Sequence, residues 1–249
     1  MSSASSPRFR VAPGSLGAEF VDLADDESHH LRVMRLQPGA KVELFDGAGV
    51  AAAGVVETTG PDAARVRVVD VEVAKAESPV AITLVQAVPV KMQRLDATVR
   101  LCTELGVAEI LPVVSAHTQL PAGGLEMLDR RVERWRRIAE SAAKQSGRAV
   151  VPRIAAVAAF AELNWAELSP VRFLLEPGAA TSLAAQLGAS DREACALLVG
   201  PEGGWDDGER AMARQEGASE VTLGPRVLRA DSAGPTALAL VQTAWGDLG

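Results

Sequence analysis

The chain has 249 residues, 48% hydrophobic and 23% charged, enough to bury a core in one large domain or two small ones. A formal charge of −7 excludes a uniformly basic surface for nucleic acid, while leaving room for a local basic patch. MSSASSPRF lacks an apolar signal core, and no run approaches the ~18 apolar residues of a membrane span, so a soluble cytoplasmic protein is expected.

Residues 8 to about 75 read as short strands separated by turns: RFRVA, AEFVDL, KVELF, VAAAGVVE and AARVRVVDVEV. DDESHHLRVMRL interrupts them as a helix, with Asp25 or Asp26 as N-cap and Pro38-Gly39 as its stop. Asp46-Gly47 opens a hairpin turn. The GAGVAA that begins at Gly47 imitates a dinucleotide fingerprint but lacks its third glycine. A small β-rich domain of barrel size is expected over residues 1–75.

AKAESPV, residues 74–80, is the expected boundary, and from residue 80 the texture becomes strand–helix–strand. AITLVQAV, EILPVV, VRFLLE, CALLVG and EVTLG are apolar runs of strand length. KMQRLDATVRLCTELG carries Met92, Leu95, Val99 and Cys102 at helical spacing, with Gly106 as its stop. Residues 80–249 therefore predict an α/β domain on a mostly parallel, buried sheet. Cys102 and Cys195 lie far apart in apolar segments and read as reduced core thiols. With three histidines in the chain, no His-based metal centre is expected.

The charge is segregated. Residues 128–153 hold eight cations against three acids, a net +5 in an acidic chain. On a helix over about 127–146, Leu128, Val132, Trp135, Ala139 and Ala142 share one face. Arg130, Arg134, Arg137, Ser141 and Lys144 lie roughly opposite, and Arg148 extends that line. Such a ridge suits a nucleic-acid phosphate backbone. Arg8 and Arg10 flank Phe9 on a strand and suit phosphate contact from one face. His29 and His30, beside Arg32 and Arg35, fit RNA contact or a plain helix face equally.

Two loops carry the chemistry. Leu197-Leu198-Val199 ends in Gly200-Pro201-Glu202-Gly203-Gly204, followed by Trp205, which either stacks on a base or plugs the loop. Asp206 and Glu209 then have the spacing of a capping box, so a helix starts there. VTLGPRVLRADSAGPTAL repeats the layout: strand, Gly224-Pro225, loop, then a helix capped by Asp231 or Ser232 with Pro235 in its first turn. Loops at the carboxyl ends of such strands bind ligands. Arg226, Arg229, Glu202 and Asp231 are expected around one cleft.

GPEGG together with LGPRVLRADSA resembles the SPOUT superfamily of methyltransferases, specifically the RsmE family, which methylates N3 of a uridine in 16S ribosomal RNA of the small subunit. The resemblance spans the chain, through PRFRV, HHLRVMRLQPG, LFDGAG, KMQRLDATVRLCTELGV and ERWRRIAESAAKQSGRAVVPRI. Where the family often has Thr-Glu-Thr-Ala, this chain has Ala230-Asp231-Ser232-Ala233. The resemblance implies a PUA-like RNA-binding barrel, a methyltransferase domain with a deep trefoil knot, a homodimer, and S-adenosylmethionine as methyl donor. It implies a cofactor cradle of Leu175, Glu176, Gly200, Pro201, Gly203, Leu223, Gly224, Val227 and Leu228.

Uridine N3 carries a proton at neutral pH, and its lone pair is free only once that proton leaves. Arg229 is the candidate cation for the developing anion, and Asp231 or Glu202 the candidate proton acceptor. An Arg229–Asp231 salt bridge that merely fixes the loop competes with that role. Two rival functions remain. One is an RNA-binding module on a catalytically dead α/β domain. The other is a phosphate-binding hydrolase using the Gly200 loop, against which the missing P-loop lysine counts.

Overall fold

Alternation of buried and exposed side chains builds the first of two compact units, and the computed structural model describes residues 6–60, 63–73, 76–119, 124–188 and 193–249 of the chain. That unit comprises residues 1–77 and 143–151. Its strands are β1 (Arg8–Arg10), β2 (Phe20–Asp22), β3 (Lys41–Phe45), β4 (Val50–Thr59) and β5 (Ala64–Val73). They form a five-stranded sheet in the order β1-β3-β4-β5-β2. Phe9, Val42, Leu44, Val56 and Val66 face inward around Leu31 of helix α1 (Asp25–Val33). Arg65 and Arg67 face outward, paired with Asp22 and Glu57.

Asp46-Gly47 does turn a hairpin. Asp46 Oδ1 accepts from the backbone N–H of Ala48 at 2.8 Å and Val50 at 3.0 Å, and Gly47 adopts φ 76°. The start of α1 differs from expectation. Ala24 is its N-cap, while Asp25 and Asp26 lie in the first turn, where the positive end of the helix favours them. The helix also ends at Val33, well before Pro38, and Arg35 turns the chain at φ 57°.

The domain boundary expected at 74–80 includes residues 74 and 75, which lie outside the described residues. The contact division falls after Glu77, and residues 143–151 return to the first unit. They return because helix α3 (Gly124–Ser146) ends there with carbonyls that need donors. Arg8 supplies them: Nη1 donates to Ala143 O at 3.2 Å and Lys144 O at 3.0 Å, and Nη2 to Arg148 O at 3.1 Å. Its Nε stands 3.1 Å from Glu43. Lys144 Nζ meets Glu27 at 2.5 Å, and buried Arg148 meets Glu77 at 2.9 Å.

The second unit, residues 78–142 and 152–249, holds β6 (Ala81–Ala87), α2 (Gln93–Glu104), β7 (Glu109–Val114), β8 (Arg153–Ile154), β9 (Ala158–Ala159) and β10 (Arg172–Leu175). It continues with α4 (Leu183–Leu187), β11 (Ala194–Val199), α5 (Asp207–Gln215), β12 (Ser219–Val221) and α6 (Ala230–Trp245). The sheet order is β12-β10-β11-β6-β7-β8, β9 also pairs with β7, and every pairing is parallel. Ile82, Leu84, Val85, Leu197 and Leu198 are buried, as a sheet covered on both faces requires. Because α6 starts at Ala230 with Arg229 as N-cap, Pro235 lies in its second turn rather than its first. Buried Gln242 holds the far end of that helix, accepting from Ser78 Oγ at 2.7 Å and donating to Leu105 O at 2.9 Å.

The Arg8 side chain is only 9% exposed and bonds three main-chain carbonyls, so its removal acts on stability. Arg8→Ala is expected to lower unfolding free energy by about 2 kcal/mol, read from the midpoint of a urea titration.

Candidate active site

Strand β10 lies between β11 and β12, so three parallel strands deliver their carboxyl ends side by side. The loops that leave them enclose a cavity of about 280 Å³. Leu175, Glu176 and Pro177 come from β10, and Val199 to Glu202 with Gly204 from β11. Val221 to Leu223 and Arg226 to Ala230 follow β12, with Ala233 from α6. Apolar surface dominates this wall, with the polar groups of Glu176, Glu202, Arg226 and Arg229 set within it.

The β11 loop is held rigid from several directions. Asp206 and Glu209 form the expected capping box: Asp206 Oδ1 accepts from Glu209 N at 2.7 Å, and Glu209 Oε2 from Asp206 N at 3.0 Å. Glu209 Oε1 also accepts from Ala116 N at 2.8 Å, which brings the segment after β7 against the loop. His117 Nδ1 lies 3.1 Å from Gly204 O. Trp205 plugs the loop from inside, 5% exposed, with its ring 4.6 Å from that of Phe160. A Cβ on Gly200 would stand 3.3 Å from Gly204 C and from Trp205 Nε1, so the turn is packed to glycine dimensions.

Most of the cradle expected from sequence meets here: Leu175, Glu176, Gly200, Pro201, Leu223, Val227 and Leu228, with Glu202 and Arg229. Gly203, Gly224 and Asp231 are not among the lining residues. Gly203 is close to protein rather than to the cavity, since a Cβ there would fall 2.9 Å from His117 Cβ. Gly224 adopts φ 113° with open space around it, so it serves the turn. Asp231 sits in the first turn of α6 with Oδ2 at 4.0 Å from Arg94 Nε. Arg94 Nη1 also donates to Glu202 Oε1 at 2.9 Å, and Val90 N donates to Glu202 Oε2 at 3.1 Å. The anticipated Arg229–Asp231 bridge is absent among the described residues, and Arg229 is exposed with no ion-pair partner there.

The basic residues divide. Arg8, Lys144 and Arg148 are consumed by internal bonds, which corrects their assignment to an RNA-facing surface. Arg10 is half-buried, and its backbone N–H donates to Glu27. His30 is exposed and turned edge-on to Phe9, and Arg32 reaches Gly60 O at 3.3 Å. Arg35 is exposed. On α3 the apolar face is as expected, with Leu128, Val132, Trp135, Ala139 and Ala142 all buried. Arg130 and Arg137 are exposed and unpaired among the described residues, whereas Arg134 meets Asp96 at 2.8 Å. Both cysteines are buried free thiols, and burial pushes Cys195 up to about 12 and Cys102 higher still.

Residues 76–242 match the RNA methyltransferase domain family, and residues 23–69 match the RNA methyltransferase PUA domain. A ribosomal RNA small subunit methyltransferase E from Mycobacterium bovis is 35% identical over 234 residues, covering 90% of this chain and 86% of the relative. Its counterpart from Synechocystis sp. is 33% identical over 241 residues, covering 94% and 76%. The chain belongs to the ribosomal RNA small subunit methyltransferase E family. The crystal structure of the family member from Neisseria gonorrhoeae, bound to S-adenosyl methionine, superposes with a TM-score of 0.88 at 32% identity. That match covers 98% of this chain and all of the other. No helix among the described residues is long and apolar enough to cross a membrane.

Sequence reasoning missed Arg94 and His117. Arg94 is 108 residues from Glu202 and His117 is 87 from Gly204, so local spacing carries no sign of either contact. The Gly203–His117 contact is testable. Gly203→Val is expected to lower the melting temperature, by overpacking worth about 1–3 kcal/mol. His117→Gly in the same chain should recover part of that loss, and thermal denaturation of the single and double variants measures it.

Proposed function

We propose that this chain transfers a methyl group from S-adenosylmethionine to N3 of a uridine in 16S ribosomal RNA, with the cofactor held in the three-strand cavity. The observation that carries the reading is the pairing of an apolar cavity with two guanidiniums on its wall, Arg226 and Arg229, that have no ion-pair partner among the described residues. The residues fit that cofactor. Leu175, Val199, Leu223 and Leu228 offer an apolar slot for an adenine, and the Glu176 carboxylate can accept from ribose hydroxyls. The tightly packed Gly200 turn brings main-chain groups to the wall without side chains in the way.

When bound, S-adenosylmethionine supplies an electrophilic methyl group on a sulfonium. The protein supplies the rest. N3 of the uridine must give up its proton before it can attack, and the negative charge then spreads onto O2 and O4. Arg229, free of any internal carboxylate, is the cation that meets this charge. Glu202 lines the cavity and is the proton acceptor, receiving the N3 proton on a carboxylate oxygen. Asp231, off the lining, stands behind it in the same charged cluster. Arg130 and Arg137, exposed on α3, are the cations for RNA phosphates, with Arg134 sharing its charge with Asp96. Arg10, His30, Arg32 and Arg35 are the RNA-facing groups of the PUA unit in this reading. The trefoil knot and a homodimer belong to the same proposal and rest on the family resemblance, and a cytoplasmic location belongs to it on the strength of the two free, buried cysteines.

Calorimetry should find micromolar binding of S-adenosylmethionine and none of ATP. ATP binding would favour the phosphate-site reading instead. Arg229→Ala is expected to lower kcat roughly 10²–10³-fold with the cofactor Kd within about threefold. Normal turnover in that variant would remove Arg229 from the chemistry.

The RNA surface has its own test. Arg130→Ala/Arg137→Ala should flatten the dependence of log K on log salt by about two units, one per lost phosphate contact, with cofactor affinity unchanged. An unaltered slope would place the RNA path elsewhere.

A further inference from the structure

Arg94 is the second residue of α2, a helix whose Leu95, Val99 and Cys102 are buried in the core. Its guanidinium does not follow them inward. It reaches two carboxylates from different parts of the chain, Glu202 at 2.9 Å and Asp231 at 4.0 Å. One belongs to the β11 loop and the other to the first turn of α6. The second oxygen of Glu202 is fixed by Val90 N at 3.1 Å, so both of its oxygens are held. The three side chains are 22–31% exposed, partly withdrawn from water, where such contacts act more strongly than on an open surface.

Two carboxylates that share one cation repel each other once it is gone. Each is then free to seek another partner. Arg229 is two residues before Asp231 and unpaired, which makes it the natural replacement. A guanidinium caught by Asp231 no longer faces a substrate anion.

We propose that Arg94 is a positioning residue for methyl transfer: it fixes Glu202 at the cavity wall and holds Asp231 away from Arg229. A guanidinium suits this role because its separate N–H groups can address two acceptors at once, here through Nη1 and Nε. The inference rests on the methyl-transfer reading above, and adds a residue outside the cavity that acts on the rate through Glu202 and Arg229.

The test compares Arg94→Gln with Arg94→Lys in the full chain, using S-adenosylmethionine and an RNA substrate. Arg94→Gln is expected to lower kcat at least tenfold, with the cofactor Kd and the KM for RNA within about threefold. Arg94→Lys, which keeps the charge, should recover most of kcat. Arg94→Met, which retains the packing of the aliphatic stem, gives the same comparison should the glutamine variant fail to fold. A neutral variant with wild-type kcat overturns the proposal. So does a lysine variant as impaired as the neutral one, or a loss of kcat matched by an equal loss of cofactor binding. Wild-type turnover in the same assay keeps the two readings apart, since a wild-type chain that transfers no methyl group overturns both.

Discussion

Parallel pairing of β10 between β11 and β12 is the constraint on which the site depends. Parallel strands point their carboxyl ends to one edge of a sheet, so three successive chain reversals are forced to begin there. Each reversal must leave its strand without a side chain blocking its neighbour. The chain meets that demand with Gly200 at one turn, where a Cβ would stand 3.3 Å from Gly204 and Trp205, and Gly224 at another, where φ is 113°. Gly200 itself lines the cavity, and Gly224 serves the turn. They allow a mainly apolar wall, against which a few polar groups stand out.

The polar groups on that wall and behind it are sorted by pairing. Arg94 is committed to Glu202 and Asp231, and Arg210 is committed to Glu220, whose carboxyl it holds below its ordinary range through a hydrogen bond. Arg229 on the cavity wall, like Arg226 beside it, has no such commitment among the described residues. In a cluster of mixed charges the unpaired group is the one available to a ligand. Its availability is as much a property of the groups that occupy its potential partners as of the arginine itself. The order of residues along the chain does not reveal this, because Arg229 and Asp231 are near neighbours that would be expected to pair with each other.

The fold was largely legible because most of its signals are local. The hairpin at Asp46-Gly47, the capping box of Asp206 with Glu209, and the apolar face of α3 each depend on residues within a few positions of one another. The start of α6 was misplaced for a related reason. Asp231 and Ser232 are good caps by type, but the helix begins at Ala230, and the two polar residues fall inside its first turn. The cavity was legible through residues at strand ends. The partners that fix it, Arg94 and His117, were not, since contacts across 108 and 87 residues leave no periodic trace. Gly203 shows the limit from the other side: a glycine signals close approach without saying to what, and here the close neighbour is the protein itself.

The same limit governs the basic ridge of α3. Helical periodicity tells which side chains leave the core, and it did so correctly for Arg130, Arg134 and Arg137. It says nothing about what waits on the far side. Lys144 lies one turn beyond Ser141 on the same line, yet it meets Glu27, 117 residues away, and Arg148 meets Glu77. Arg8 answers the need of a long helix whose last carbonyls must be satisfied, while Lys144 and Arg148 each meet a carboxylate of the same unit. A run of positive charge in sequence is therefore two populations in space. The part at and beyond the end of the helix is neutralised by Glu27 and Glu77, while Arg130 and Arg137 along its middle stay exposed and without an ion-pair partner among the described residues.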